Sequence, residues 1–371
     1  MRKLFWLVFF LVTATVLTVG VVLYARGYRP NIKEKTLEPS GIVSIKSQPD
    51  KARVFINGEE KGTTDLDISD LSPGKYTVKI TKEGFSSWRK EVEVKKEKVN
   101  LIEVVLFPLA PSLKASTFTG LANPVASPTG DRIVFAIKEP QDKAGLWSLD
   151  LTSSSLPLSF FTKDLAKLVS DTKELTFSSS TYEFSPDGKQ LLLQVSGQYM
   201  FFLLDTTKEN KDPKEVTLDL DKIKEDWTKK RTSNTNNALK ALGKEAESTA
   251  LGLANITFSP DKTKFFGSRA DGSALVFDAK PEVNGDQKTR LVDLPKATRY
   301  LWYPNNHCIL LVNNNAISIM DIDGTNNVPI YTGNFDPNLV VPWPDGSKIV
   351  IATNLNSAAS SLPNLYAIEL R

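Results

Sequence analysis

His307 and Cys308 are adjacent, and they are the chain's one histidine and one cysteine. As a pair they have the residue types of a thiol nucleophile with its base, or of two metal ligands. Their position argues against both. They fall in a turn that runs into a hydrophobic strand, where neighbouring side chains point to opposite faces. No further His or Cys exists to complete a zinc set. The pair reads as a turn histidine beside a core cysteine. Ser/His/Asp catalysis would need the same histidine, and no Gly-x-Ser-x-Gly elbow occurs. No phosphate-cradling glycine loop of Walker or Rossmann type occurs either. Asp219-x-Asp221 and Asp321-x-Asp323-Gly324 begin like calcium loops, but neither continues to a glutamate at the required offset. Asp321 and Asp323 read better as hairpin residues. Acidic residues are abundant enough for paired-carboxylate glycoside hydrolysis, yet no spacing singles out a pair. The sequence nominates no catalytic, cofactor-binding or metal-binding residue.

Charge narrows the partner class. Lys and Arg total 46 against 43 Asp and Glu, a net charge of +3. That balance does not suit a nucleic-acid surface. One cysteine gives no disulfide framework, so the cores must hold by packing.

What must position any functional residue is a repeat. Five times a Pro-centred polar turn runs straight into a hydrophobic strand. The turns start at Ser127-Pro128, Ser185-Pro186, Ser259-Pro260, Tyr303-Pro304 and Trp343-Pro344. Proline presets φ for the second position of a type I turn, and a following glycine supplies the left-handed residue. Copies three and four depart, with Lys262 and Asn306 near the glycine's place. A second strand follows each hydrophobic run, as in Leu146 to Leu151, Tyr199 to Leu204 and Ile317 to Asp321. Short fourth strands are expected at Leu158-Ser159-Phe160-Phe161 and Val328 to Tyr331. Units of this kind predict four-stranded propeller blades. The last unit has three strands, so Leu113 to Thr119 is expected to complete it and close the ring. Residues 206–250 form an insertion between blades two and three. Within 220–248 the spacing of Leu220, Ile223 and Trp227 predicts one or two amphipathic helices, with Trp227 expected against a blade rather than capping the ring or docking a partner.

These motifs resemble the WD-type repeats of the Tol-system periplasmic protein and of dipeptidyl-peptidase propellers, over residues 113–371. The likeness implies a propeller of about five blades and, by itself, no activity.

Two further segments precede the ring. Residues 4–25 are apolar, with Arg2 and Lys3 on one side and Arg26 and Arg29 on the other. About 20 such residues span a bilayer as a helix, and this run is too long for a signal-peptide core. Residues 1–29 are expected to be an uncleaved transmembrane anchor, with the bulk of the chain outside the cytoplasm. Residues 41–107 alternate with period two between turn signals such as Asn57-Gly58 and Ser72-Pro73-Gly74, which predicts a small antiparallel β-sandwich. Ser47-x-Pro49, Val54-x-Ile56-Asn57-Gly58, Leu71-x-Pro73-Gly74-x-Tyr76-x-Val78 and Gly84-Phe85 resemble the PEGA domain. Asp50-Lys51, where that family often has glycine, is a departure. The resemblance implies an extracytoplasmic surface module without catalysis. Residues 30–40 and 108–112 read as linkers.

The expected chain is all-β apart from the transmembrane helix and the helical insertion. Its expected function is an anchored, extracytoplasmic binding or scaffold protein that presents a propeller face to an envelope protein or glycan. Two other readings stay open: a glycan-active hydrolase using carboxylates alone, and a purely structural envelope protein. Two facing carboxylates about 5–10 Å apart in a central pocket would favour the hydrolase.

Overall fold

The computed structural model describes residues 2–25, 28–31, 36–96, 98–152, 165–195, 197, 199–279, 290–355 and 362–371. Contacts divide the chain into two compact units, one within Met1–Phe107 and one within Pro108–Lys280 and Thr289–Arg371.

The first unit opens with helix α1, Arg2–Ala25. Its stretch Phe5–Tyr24 is long and apolar enough to cross a membrane. Thr13, Thr15 and Thr18 each donate a hydroxyl to the carbonyl four residues earlier, at 2.8–2.9 Å. Those bonds satisfy groups that an apolar surround would otherwise leave unpaired. Tyr28–Asn31 and Thr36–Pro39 pair antiparallel, with Tyr28 opposite Pro39.

A two-sheet sandwich follows. One sheet has the order Leu66–Leu71, Gly41–Gln48, Val99–Val105; the other has Glu59–Thr63, Arg53–Ile56, Gly74–Thr81, Trp88–Val94. Period-two alternation sends Val43 and Ile45 inward against Val54, Ile56, Val78 and Ile80, all buried. The sandwich departs from the antiparallel expectation in one pair: Gly41–Gln48 and Val99–Val105 run parallel, Ile42 opposite Val99. The chain crosses from one sheet to the other after Val94, so it enters beside Gly41–Gln48 in the same direction. At that crossing only glycine fits position 41, since a Cβ there would lie 2.4 Å from Val94 and 2.6 Å from the Lys95 carbonyl oxygen. Lys51, the departure from glycine, holds the left-handed φ of 54° that glycine would take freely.

The second unit is a β-propeller of five four-stranded sheets. From the innermost strand outward, blade one is Ala122–Ala126, Arg132–Ile137, Gly145–Asp150 and Leu165–Ser170. Blade two is Thr181–Phe184, Gln190–Gln194, Phe201–Asp205 and Lys214–Glu215. Blade three is Ala254–Phe258, Lys264–Ser268, Ala274–Asp278 and Arg290–Leu294. Blade four is Arg299–Trp302, Cys308–Val312, Ala316–Asp321 and Val328–Thr332. Blade five is Val340–Pro342, Lys348–Thr353 and Asn364–Glu369, with Leu113–Ala115 outermost. Blade one's fourth strand is Leu165–Ser170; the segment expected for it, 158–161, lies outside the described residues.

Sandwiching each blade between neighbours explains the continuous apolar runs. Every residue of Cys308–Val312 is buried, and each Ile, Leu or Val there is worth about 1.5–3 kcal/mol relative to exposure. Blades five and one share an apolar cluster that includes Phe135, Leu149, Leu339 and Val350. Blades one and two share another, and blades three and four a third. Blades four and five meet where Tyr303 Oη donates to the Gly346 carbonyl at 2.5 Å.

Between blades two and three the link is helical. Helix α2, Leu220–Leu242, buries Leu220 and Trp227 against Leu192, Phe201 and Val216 of blade two. Its far end buries Leu239 with Phe265 and Phe277 of blade three, joined by Ala246 and Ala250 of α3, Lys244–Ala250. The middle of α2 is exposed and polar. It is tied to blade two by Lys230 on Asp187 Oδ2 at 2.7 Å and Arg231 on Glu183 Oε1 at 2.5 Å.

The five turns share one geometry. The fourth residue of each donates its N–H to the carbonyl of the first: Gly130 to Ser127, Gly188 to Ser185, Lys262 to Ser259, Asn306 to Tyr303 and Gly346 to Trp343. That fourth residue is left-handed in every copy, with φ of 70°, 71°, 57°, 61° and 72°. Lys262 and Asn306 therefore do glycine's work, at a conformational cost of about 1–2 kcal/mol for a non-glycine residue. Lys262→Gly should be neutral or raise the propeller's stability by about 0.5 kcal/mol after the entropy of the freer chain is subtracted. Gly188→Ala should lower it by about 1–2 kcal/mol, because φ is 71° and the new Cβ would meet Thr129 Oγ1 at 2.9 Å. Calorimetric melting of the three proteins checks both signs; equal losses would contradict the turn assignment.

The α2 tie adds a pH dependence. Lys230, with Ser185 and the Lys189 amide, holds the Asp187 carboxyl well below the usual carboxylate range. A carboxyl with a depressed folded pKa stabilises above about pH 4, its unfolded value, and loses that contribution as pH falls through the folded one. Lys230→Met should cost under about 1 kcal/mol at neutral pH, since the pair is half-exposed. The difference from the parent should shrink toward zero in melts taken from about pH 5 downward.

Candidate functional site

The inner strands of blades one, three, four and five, with their flanking turns, line a cavity of about 1100 Å³. Each of these strands pairs on one side only, so its other edge faces the axis. Two ends can be told apart from the chain path. The turns that leave the inner strands place Pro128, Pro260, Pro304 and Pro344 at one mouth. The opposite mouth holds the starts of the inner strands, with Asn255, Arg269, Thr298 and Arg299. Half-buried Phe258 and the buried Phe266, Tyr300 and Trp302 make an aromatic wall between them. Phe266 lies 5.5 Å from Trp302 and 6.1 Å from Tyr300, centroid to centroid.

The wall is rigid because its polar tips are tied down. Trp302 Nε1 donates to the Thr257 carbonyl at 2.9 Å, and Tyr300 Oη donates to the Pro295 carbonyl at 2.7 Å. Phe266, Tyr300 and Trp302 are nearly buried in the apolar cluster between blades three and four, so Phe258 is the one partly exposed ring among these four. Among the described lining residues, Arg269 and Arg299 are the only charged ones. Arg299 Nη1 donates to the Asn338 carbonyl at 2.6 Å. Burial lowers the Arg299 guanidinium pKa, and Asp336 nearby opposes the shift; an arginine stays charged at neutral pH regardless. Arg269 is braced by Asp293 at 2.5 Å and Ser273 at 3.4 Å.

A repeated bulge shapes the Asn255 mouth. The inner strands of blades one and three both shift register, between Ala122 and Val125 and between Ala254 and Thr257. The extra residues are Asn123 and Asn255, left-handed at 49° and 53°. Bulges of this kind re-aim side chains at a rim. Gly120-Leu121-Ala122-Asn123 and Gly252-Leu253-Ala254-Asn255 are the matching sequence signal, each ending four residues before a Ser-Pro turn. The sequence reading passed over this second repeat, and over both arginines.

The residues that could have carried chemistry lie elsewhere. Cys308 is buried at the start of blade four's second strand. Its Sγ is 3.7 Å from Asp321 Oδ1 and 3.4 Å from Asn305 Nδ2. His307 sits half-buried in the preceding turn, its N–H on Asn305 Oδ1. Asp323 Oδ1 accepts from the Thr325 N–H and hydroxyl, and Asp321 Oδ2 accepts from Asn326, which are hairpin roles. Asp219 and Asp221 flank the start of α2. Among the described residues no group of three or more His, Cys, Asp and Glu is placed to hold a metal ion. The carboxylate pair that the hydrolase alternative requires is not among the described lining residues.

Residues 40–108 match the family model of the PEGA domain. No curated protein matches the sequence. Among solved structures, a TolB from Agrobacterium tumefaciens matches at 15% identity and TM-score 0.23, over 65% of this chain and 70% of that one. A mitotic checkpoint complex structure matches at 10% identity and TM-score 0.31, over 71% and 93%. The β-propeller domain of Cps50 (Swd1) from Myceliophteria thermophila matches at 8% and TM-score 0.22, over 84% and 88%. Likenesses at these TM-scores carry no functional argument. Residues 40–108 are a PEGA domain, and the chain beyond them folds as a β-propeller of five four-stranded blades.

Proposed function

We propose that this chain is a membrane-anchored, extracytoplasmic binding protein whose propeller captures a segment of an envelope partner in its central cavity. The cavity carries this reading. It is concave, with the half-buried apolar residues Phe258 and Leu301 in its lining and a few polar groups at its edge, which is the usual make-up of a ligand site. Four different blades contribute to it, so it exists only because the ring is closed. Helix α1 supports the anchor by length and composition, and the PEGA domain supports an extracytoplasmic setting. The propeller acts by holding rather than transforming its partner.

A photo-crosslinking residue at Thr298, which lines the cavity, should give discrete adducts in native envelopes. The same residue at Lys214, on blade two's outer strand, should not. Thr257→Trp, which puts a large side chain into the cavity, should abolish the Thr298 adducts while leaving the melting temperature within a few degrees. Equal adducts from both positions, or adducts that persist in Thr257→Trp, would refute the cavity as the capture site.

A further inference from the structure

Resting on that reading, we infer that the captured segment is an extended, acidic polypeptide: its backbone lies along the free strand edges, its apolar side chains meet Phe258 and Leu301, and its carboxylates reach Arg269 and Arg299. Three independent features point to this class.

The first is the backbone chemistry of the wall. Inner strands that pair on one side only present N–H and C=O groups toward the axis. Unpaired strand edges are templates for another extended chain. A peptide satisfies them in kind, with one donor and one acceptor per residue. Asn255, exposed at the same mouth as the arginines, adds an amide that can both donate to and accept from a peptide backbone.

The second is charge. The described lining residues include two arginines and no Asp or Glu. Both arginines come from the same end of adjacent blades: Arg299 opens blade four's inner strand, and Arg269 follows Ser268, which pairs with Ala254 at the start of blade three's inner strand. Arg299 is held by the Asn338 carbonyl with Asp336 nearby, and Arg269 is in an ion pair with Asp293, so carboxylates outside the lining offset part of this charge. Held guanidiniums give up less side-chain entropy when a carboxylate arrives, and their forked donors match it.

The third is the character of the remaining wall. Leu301 and Phe258 are apolar and half-buried, beside the buried Val340 and Val341. A glycan would leave most of its hydroxyls without partners along such a surface. Apolar side chains alternating with acidic ones fit it instead.

The test uses the full chain in nanodiscs and three probes: a fluorescein-labelled peptide of alternating valine and glutamate, its valine–lysine counterpart, and an oligogalacturonate of matching charge. The valine–glutamate peptide should bind, more weakly as salt rises, and the other two should not. Arg269→Gln/Arg299→Gln should weaken that binding by about tenfold or more, and Arg269→Lys/Arg299→Lys should restore part of it. The salt dependence of the unmodified chain keeps the test decisive if the double variant folds poorly. No binding of the valine–glutamate peptide, equal binding of the lysine peptide, or binding untouched by both salt and the glutamine variants would overturn the acidic assignment. Preferential binding of oligogalacturonate would overturn the polypeptide class. Peptide binding that ignores the arginines but is lost in Thr257→Trp would sink this inference and leave the cavity reading standing; binding that ignores Thr257→Trp as well would sink both.

Discussion

The ring depends on one short strand pairing. Leu113–Ala115 lies antiparallel to the end of the chain, Leu113 opposite Ile368 and Ala115 opposite Tyr366. Without it the last blade would have three strands and an exposed edge. The pairing is only three residues long, but side chains on both sides reinforce it. Lys114 reaches Glu369 at 2.7 Å, and Ser112 donates to the same carboxylate at 3.1 Å. Asn364 Oδ1 accepts from Gly120 N–H at 3.0 Å and from the Thr117 hydroxyl at 3.1 Å. These bonds join residues 244–257 positions apart, so they fix the loop that contains every other blade. The cavity inherits its width from that closure.

The remaining junctions differ in kind. Three are apolar clusters between blades, and one is a hydrogen-bonded contact of turns. The fifth is built from α2 and α3, which bury one end against blade two and the other against blade three. Blade two contributes nothing to the described cavity lining. The inserted helices and the missing fifth wall occur at the same place in the ring. The cavity is accordingly asymmetric, and its cationic mouth is formed by the blades on the far side of the insertion from blade two.

Much of this architecture was legible because it is local. A Pro turn, a left-handed residue and a hydrophobic run fall within about ten residues, and they encode turn, reversal and buried strand together. Val328–Thr332 and Asn364–Glu369 could be read in the same way. Trp227 was expected against a blade and is found there, since helical spacing aligns it with Leu220 and Ile223. Leu165–Ser170 was missed because Lys167 and Ser170 break its apolar pattern. Lys214–Glu215 has two residues and no pattern at all. The parallel partner of Gly41–Gln48 could not be read either, because pairing direction depends on where the chain crosses between sheets.

The candidate site was almost illegible for a related reason. Arg269 and Arg299 are 30 positions apart, in different blades, and neither sits in a motif. The packing of blade four against blade three brings them to one mouth. The Gly-Leu-Ala-Asn repeat was visible in principle, but its meaning lies in two left-handed bulges that sequence alone does not announce. Residues that looked chemical, His307 and Cys308, are occupied in blade four's turn and core.

The most direct test of ring closure is a crosslink across the pairing on which it rests. Lys114 and Ala367 are directly opposed, and Cα atoms so placed in an antiparallel pair fall within disulfide range. A full chain carrying Lys114→Cys, Ala367→Cys and Cys308→Ala should oxidise to a disulfide, seen by mass spectrometry of its proteolytic fragments, and melt at a higher temperature than its reduced form. Thiols that stay free under oxidation, with no shift in melting, would contradict the closed ring and the cavity it creates.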